Sequence, residues 1–277
     1  MKKTLDFFSR HLTLIFILTL FLLPIFSILM TSVSTRVEAT GNVLIPSEPI
    51  FGNFTAIWNE YPMWRWILNT ILVATMSAIG GLLSSLPAAY ALSHFEWRGN
   101  KFVILATALA FIIPVQVTTI SLYKIYSNLG WIPSFKALIV PFFLADPISV
   151  FILRQFLIRI PRNFSDVARL DGVSEFRIFV SIIFPLIKPA LFATGVLIFL
   201  GSWNDLYQPL LYTVENQNLW TLSLGLLEVQ GIHNTDPNLT MAASAIFVVP
   251  VIVMFLLVQS RIIGKLEIDS RTSQVSQ

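Results

Sequence analysis

The sequence predicts an all-α membrane protein with six transmembrane helices, and three observations lead to that prediction. Of its 277 residues, 55% are hydrophobic and only 12% are charged, whereas soluble domains carry about 25% charged residues. Long apolar runs recur along the chain, separated by shorter polar connections. Lysine and arginine are concentrated in alternate connections. The chain has no cysteine, which excludes disulfides and thiolate metal sites.

Six apolar runs define the predicted spans, at about 12–31, 66–92, 102–123, 137–153, 189–211 and 240–260. The first has 20 residues and no charge, enough to cross a ~30 Å hydrocarbon core. A cleaved signal peptide is the alternative, but this run exceeds the usual ~7–15 apolar residues. Within the second span, Gly80-Gly81 and Ser84-Ser85 predict close helix packing, and Pro114 predicts a kink in the third. No linker divides the chain, so residues 1–277 are predicted to form one transmembrane domain.

The distribution of positive charge predicts the orientation of the six spans. Fourteen lysine and arginine residues fall on the side that holds both termini, and four fall on the other side. Cytoplasmic connections carry the excess of these residues. Both termini and the polar loop at about 158–188 are therefore predicted to be cytoplasmic. The net charge of +3 is too small to indicate nucleic acid as a partner.

The polar loop reads as a short helix, a turn and a second helix. Ser165 is predicted to cap the first helix, and Gly172 to end it in a left-handed conformation. Ser174 is predicted to cap the second helix, and Pro185 to end or kink it. The pattern alone leaves open an amphipathic segment that lies on the bilayer surface.

A resemblance to a known family gives this loop a more specific interpretation. The loop resembles the EAA loop of binding-protein-dependent ABC importer permeases in three pieces: Asp166-Val167-Ala168, Asp171-Gly172-Val173 and Ile182-Ile183-Phe184-Pro185. The resemblance implies the type I ABC importer permease fold, in which this loop forms coupling helices that contact an ATPase subunit. It therefore implies an ATPase-coupling role, which we assign to these loop residues: Asp166, Ala168, Asp171, Gly172, Val173 and Pro185. We call residues 158–188 the coupling loop.

Other segments extend the resemblance to carbohydrate-uptake permeases of the maltose type. They include Ala88-Ala89-Tyr90-Ala91-Leu92, Gly201-Ser202-Trp203-Asn204-Asp205 and Met241-Ala242-Ala243-Ser244. This implies a plasma or inner membrane complex with a second homologous permease subunit, two ABC ATPase subunits and an extracytoplasmic solute-binding protein, embedded in membrane lipid and importing a sugar. Importers of glycerol-phosphate-type solutes share much of the pattern. The family's usual C-terminal ending is absent, since Gly264-Lys265-Leu266 leads into a different tail.

The chain shows no catalytic motif. It has no phosphate-binding loop of the Gly-x-x-x-x-Gly-Lys-Ser/Thr type, so we expect no cofactor in this chain and expect ATP and Mg²⁺ to be bound by the partner ATPase. Its three histidines, His11, His94 and His233, stand far apart in the sequence, and we predict neither a metal site nor enzymatic activity.

Two acidic residues lie within predicted spans, where a charge costs at least ~2.5–3.5 kcal/mol. Asp146 stands in the fourth span, and Asp205 follows Trp203 and Asn204 in the fifth. We take these two acids together with Trp203 and Asn204 as candidate path or gating residues. The alternative for each acid is a place near the outer interface or a hydrogen bond to a neighbouring helix. The two acids also leave open a different function for the chain, that of an ion-gradient-driven secondary transporter or channel.

Overall fold

The computed structural model describes the backbone of residues 2–41, 43–110, 112–232 and 236–275, and the side chains of 11–41, 43–110, 112–231 and 236–256. Within these ranges the chain is helical and contains no β-strand. Its contacts separate two compact units, Met1–Trp64 with Gly225–Phe255, and Arg65–Leu224 with Leu256–Gln277. The single transmembrane domain stays a prediction.

The α-helices of the described backbone, in chain order, are α1 Lys2–Ser32, α2 Arg36–Thr40, α3 Gly52–Glu60, α4 Met63–His94, α5 Asn100–Ala110, α6 Val115–Asn128, α7 Lys136–Ile139, α8 Pro147–Leu157, α9 Asn163–Leu170, α10 Glu175–Ile178, α11 Phe184–Asn204, α12 Tyr207–Tyr212, α13 Leu222–Ile232 and α14 Pro237–Val275. A 3₁₀-helix at Val140–Leu144 follows α7, a π-helix at Phe179–Ile183 joins α10 to α11, and a short 3₁₀-helix occupies Gln217–Leu219.

Five helical segments of the described chain are long and apolar enough to cross a membrane: His11–Ser32, Met63–His94, Lys136–Leu157, Glu175–Asn204 and Pro237–Leu256. A sixth span exists if α5 and α6 count as one, although they meet at 97°. Pro114 immediately precedes α6, and proline cannot donate the hydrogen bond that would continue α5. The bend predicted there is therefore a full break between two helices.

Two predicted spans are interrupted in the structure. The fourth, 137–153, is broken between the 3₁₀-helix and α8, where Ala145 adopts a positive φ of 66°. The fifth, 189–211, lies in a helical segment that already begins at Glu175, and it contains the break between the end of α11 at Asn204 and the start of α12 at Tyr207. Helix α14 extends past the predicted end of the sixth span at 260, and the side chains of the divergent tail lie outside the described residues.

The small residues of α4 are packed closely, as predicted. A Cβ atom at Gly80 would lie 2.3 Å from the ring of Phe143, and one at Gly81 would lie 2.7 Å from Ile198. The Ser84 hydroxyl donates to the Phe142 carbonyl at 2.8 Å and accepts from the Ala145 amide at 3.1 Å. This side chain therefore satisfies backbone groups at the break before α8, where the helical ladder is interrupted.

The first unit contains a polar connection between α1 and α4. Asn53 of α3 donates to the Ser32 and Ser34 carbonyls, at 2.9 Å each, and accepts from Asn238 at 3.0 Å. Glu38 of α2 accepts from the backbone amides of Ser47, at 2.8 Å, and of Thr35, at 3.1 Å. These hydrogen bonds lower the pKa of Glu38 to about 2. Local hydrogen bonds thus order this segment without a regular element at 43–50.

In the second unit, one apolar cluster lies beneath the coupling loop. It joins the C-terminal part of α4 to α8, α9, the π-helix and α11, and its fully buried members include these side chains: Ala89, Leu153, Leu157, Ile178 and Ile183. Close packing of these side chains holds the cluster together. The coupling loop is therefore attached to three helices of its unit, α4, α8 and α11.

Candidate functional site: the coupling loop and a polar cavity

The coupling loop has the helix–turn–helix structure that the sequence predicts. Helices α9 and α10 are separated by Gly172, which has a φ of +76°. The Gly172 amide donates to the Arg169 carbonyl and the Val173 amide to the Ala168 carbonyl, each at 3.0 Å. The second bond closes the kind of wide C-terminal loop that ends helices at a left-handed glycine. The prediction for Gly172 is confirmed.

The ends of the two loop helices differ in detail from those predicted. Helix α9 begins at Asn163, so Ser165 is no cap; it is buried and its hydroxyl donates to the Arg162 carbonyl at 3.0 Å. Ser174 has the extended backbone of a cap, but its side chain makes no capping hydrogen bond. Of the two roles predicted for Pro185, it does not end the helix, because the chain stays helical from Glu175 to Asn204; the kink stays a prediction.

The π-helix explains how the helix continues through Pro185. The Phe184 amide donates to the Phe179 carbonyl, five residues back. This wider turn shifts the hydrogen-bond ladder by one residue immediately before a residue that has no N–H. Proline also fits the first turn of an α-helix, where amides need no intrahelical acceptor. The sequence pattern did not reveal this adjustment.

Arg169 forms ionic hydrogen bonds on both sides of the Gly172 turn. Its Nη1 donates to Asp166 at 2.7 Å on its own helix. Its Nε and Nη2 donate to the two carboxylate oxygens of Glu175, at the start of α10. The hydrogen bonds from Arg169 to Glu175 raise the pKa of Arg169, which stays charged at physiological pH. The Tyr90 hydroxyl of α4 donates to Glu175 at 3.2 Å.

Helix α9 has a buried face and an exposed apolar face. Ser165 and Ala168 are buried. On the other side Phe164, Val167 and Leu170 are exposed, and Phe176 of α10 is exposed as well, with Leu170 88% and Phe176 77% accessible. We call these four side chains the apolar ridge. Exposed apolar side chains grouped on a polar loop indicate an interaction surface.

The sequence analysis assigned the coupling role to residues of one loop. The structure places Asp166 and Ala168 on α9, Asp171, Gly172 and Val173 in the turn that follows, and Pro185 in the first turn of α11. The sequence analysis missed Arg169, Glu175 and the apolar ridge. Two signals were present. Opposite charges flank the glycine, and Val167 and Leu170 have helical spacing.

The two acidic residues predicted within spans both accept hydrogen bonds from the first turn of the next helix, Asp146 as the N-cap of α8 and Asp205 from one residue before the N-cap of α12. The Asp146 carboxylate accepts from the amide and the hydroxyl of Ser149 at 2.9 and 2.5 Å, at the start of α8. The Asp205 carboxylate accepts from the Gln208 amide at 3.2 Å in the first turn of α12. Its carbonyl accepts from the Ser223 hydroxyl at 2.6 Å. Each acid follows a helix break and satisfies backbone donors of the next helix.

A cavity of about 300 Å³ lies beside the break between α11 and α12. Its polar lining comes from these residues: Ser202, Asn204, Asp205, Tyr207 and Gln208. Val115, at the start of α6, and Phe142 of the 3₁₀-helix contribute apolar side chains to the lining. Of the four candidate path residues, Asn204 and Asp205 line the cavity. Asp146 does not, and Trp203 points into the core with 1% exposure.

Three interrupted segments meet at this cavity, at Val115, at Phe142 and at Asp205. Irregular backbone at membrane depth is tolerated where it is buried in protein or lines a water-filled cavity. The lining offers carboxylate, carboxamide and hydroxyl groups, which bind polar solutes. Among the described residues, no cluster of three or more His, Asp or Glu side chains could hold a metal ion.

Comparison with known proteins assigns the chain to a family. Residues 80–263 match the family described as "binding-protein-dependent transport system inner membrane component". The match includes the whole coupling loop and the break at Asp205. The chain belongs to this family and is the permease subunit of an ABC importer. The predicted family, fold class and transport function are confirmed.

Two curated relatives align with nearly the whole chain. The arabinooligosaccharides transport system permease protein AraQ of Halalkalibacterium halodurans is 29% identical over 274 residues, covering 96% of this chain and 98% of that protein. The sn-glycerol-3-phosphate transport system permease protein UgpE of Shigella flexneri is also 29% identical, over 268 residues that cover 93% of this chain and 94% of that protein.

A solved structure is similar in fold. It is the crystal structure of a bacterial ABC transporter involved in the import of the acidic polysaccharide alginate. One of its chains matches with a TM-score of 0.80 at 21% identity, covering 94% of this chain and 97% of that chain.

Proposed function

We propose that this chain is one of two homologous permease subunits in an ATP-driven importer of a sugar or oligosaccharide. Two ABC ATPase subunits would bind ATP and Mg²⁺, and an extracytoplasmic solute-binding protein would deliver the substrate. The chain itself has no phosphate-binding loop for ATP. ATP binding would move the ATPase subunits and switch the permease pair between inward- and outward-facing states.

The observation that carries the coupling role is the apolar ridge on a loop rich in charged residues. Leu170 and Phe176 extend from short helices whose opposite sides are fixed to the membrane helices. An exposed ridge on a rigid base fits a cleft in a soluble partner. The 14-to-4 distribution of lysine and arginine supports a cytoplasmic position for this loop and both termini, where an ATPase has access.

The polar cavity supports a neutral, hydroxyl-rich substrate. Its lining includes the carboxylate of Asp205 and the amides of Asn204 and Gln208, and none of the lining residues that the structure describes carries a positive charge. Sugar hydroxyls pair well with such acceptors and donors. A phosphate ester would bring its negative charge near that of Asp205 without a compensating cation. Glycerol phosphate remains the second candidate substrate because UgpE is as similar to the chain as AraQ.

Co-purification tests the assembly. The tagged chain is extracted from native membranes in mild detergent and its partners are identified. We expect one ATPase copy per permease chain and a second permease with six spans. A chain that emerges alone or as a homodimer, even after crosslinking at the coupling loop, would overturn the proposal in favour of ion-gradient-driven transport. Uptake of labelled oligosaccharides and of glycerol 3-phosphate by vesicles holding the complex then decides between the two substrate classes.

A further inference from the structure

We propose that Arg169 is a positioning residue that makes the coupling loop a rigid lever. Through Glu175 and Tyr90, it would fix α9 to α10 and to the membrane helix α4, so that movement of α9 is transmitted and not absorbed by the turn. This inference rests on the proposed coupling to an ATPase. It concerns a residue that lies outside the apolar ridge and is not required to touch the partner.

The turn between α9 and α10 is the place where such a link acts. It consists of residues 171–174 and includes the left-handed Gly172, which has no side chain to restrict it. A Cβ atom at Gly172 would meet nothing within 4 Å, so no neighbouring side chain packs on the glycine itself. Ala168, Val173 and Ile178 pack on the apolar cluster below the turn. Side chains that bridge the two helices add a direct link between α9 and α10 on the exposed side.

Arg169 has the geometry for this role. Two guanidinium nitrogens donate to the two oxygens of Glu175, and a third donates to Asp166. A planar guanidinium held at three points leaves its carboxylate partners little freedom of orientation. The position of Glu175 relative to α9 is thereby defined across the turn.

Tyr90 connects this bridge to the membrane helix. Its hydroxyl donates to Glu175 at 3.2 Å. Its ring packs against Phe179 of the π-helix, with centroids 4.9 Å apart, and against the edge of Phe95 at 5.6 Å. Tyr90 is itself buried in the apolar cluster. The bridge therefore ends on a side chain that is fixed by packing, near the C-terminal end of α4.

A second ion pair in the same region supplies a matched control. Arg162 and Glu96 make one contact of 3.2 Å, with side chains 57% and 85% exposed, whereas those of Arg169 and Glu175 are 32% and 40% exposed. Exposed pairs of this kind contribute little to stability. Removing either arginine should therefore leave the fold intact, and only Arg169 is expected to affect coupling.

The test compares Arg169→Met, Glu175→Gln and Tyr90→Phe with Arg162→Met in the complete complex in vesicles. ATPase co-purification, ATP hydrolysis and transport are measured for each. We expect the Arg169 and Glu175 variants to retain the ATPase while solute transported per ATP falls about tenfold, a size typical of coupling between sites. A smaller fall is expected for Tyr90→Phe, and none for Arg162→Met. An unchanged ratio in Arg169→Met, or loss of the ATPase from the complex, would overturn the inference.

A covalent substitute for the bridge provides a second readout. Because the chain has no cysteine, the double variant Arg169→Cys, Glu175→Cys can be joined by a short bis-maleimide, with each single cysteine as a control. Restored coupling in the crosslinked double variant alone supports the lever. Equal ratios with and without the crosslink would contradict it. The wild-type complex in the same vesicles reports separately on the proposed function, which fails if that complex lacks an ATPase.

Discussion

The coupling loop and the polar cavity each lie at a break between two consecutive helices, but the two breaks are stabilised differently. In the coupling loop the break is at Gly172, and charged side chains bridge it from outside. Beside the cavity the break is at Asp205, whose own carboxylate and carbonyl accept hydrogen bonds from Gln208 of α12 and Ser223 of α13. The first arrangement leaves apolar side chains pointing outward, and the second leaves polar groups around a space.

The difference follows from what surrounds each break. The coupling loop stands among charged residues, so water can hydrate the turn and a partner protein can cover the ridge. The second break interrupts an apolar segment, where unpaired backbone groups cost several kcal/mol each. A side chain at the break that accepts hydrogen bonds from nearby backbone amides satisfies these groups locally. We expect substitutions in the coupling loop to act through a partner, and those beside the cavity to act through the chain's own stability.

The largest effect is expected at the tip of the apolar ridge. Leu170→Asp places a charge where the proposed partner surface is apolar, and we expect the ATPase to bind at least about thirtyfold more weakly, corresponding to about 2 kcal/mol. Co-purification and ATP-driven transport both measure this. Val37→Asp in α2 is the control, since Val37 is also highly exposed. Retention of the ATPase by the Leu170 variant would contradict the docking surface.

Gly172 and Gly130, two glycine turns of the second unit, provide the next test. Gly172 and Gly130 have φ values of +76° and +65°, and a Cβ atom would meet nothing within 4 Å at either. Valine at either site should cost about 1–2 kcal/mol in the left-handed conformation. We expect similar losses of thermal stability for Gly172→Val and Gly130→Val, but lower transport per ATP for Gly172→Val alone.

Asparagine refines that comparison because it tolerates the left-handed region. Gly172→Asn should retain coupling if the conformation of the turn is what matters. Impaired coupling in both Gly172 variants would instead mean that the partner approaches the turn too closely for any side chain. Equal uncoupling by the two valine variants would show that the coupling loop has no special role.

The sequence was more informative about the coupling loop than about the cavity. Charge and turn residues stand out against apolar runs, so Gly172 and its two short helices could be located from local pattern alone. The breaks near Asp146 and Asp205 lie within apolar runs, where hydropathy averages over a few polar residues. The bridge from Tyr90 to Glu175 joins residues 85 apart in the sequence, and no local pattern contains such a contact.

The smallest effects are expected at the two acidic caps, and they distinguish a cap from an ion-binding group. Asp205→Ala removes the acceptor for the Gln208 amide and should cost about 1 kcal/mol in stability. Asp205→Asn and Asp146→Asn keep a capping oxygen, because asparagine caps about as well as aspartate. We therefore expect Asp146→Asn to leave melting temperature, ATP-driven uptake and its pH dependence unchanged. The opposite outcome is uptake that follows an imposed ion gradient and is abolished by Asp146→Asn. It would show that the charge of Asp146 is functional, and that Asp146 does more than accept hydrogen bonds from the backbone.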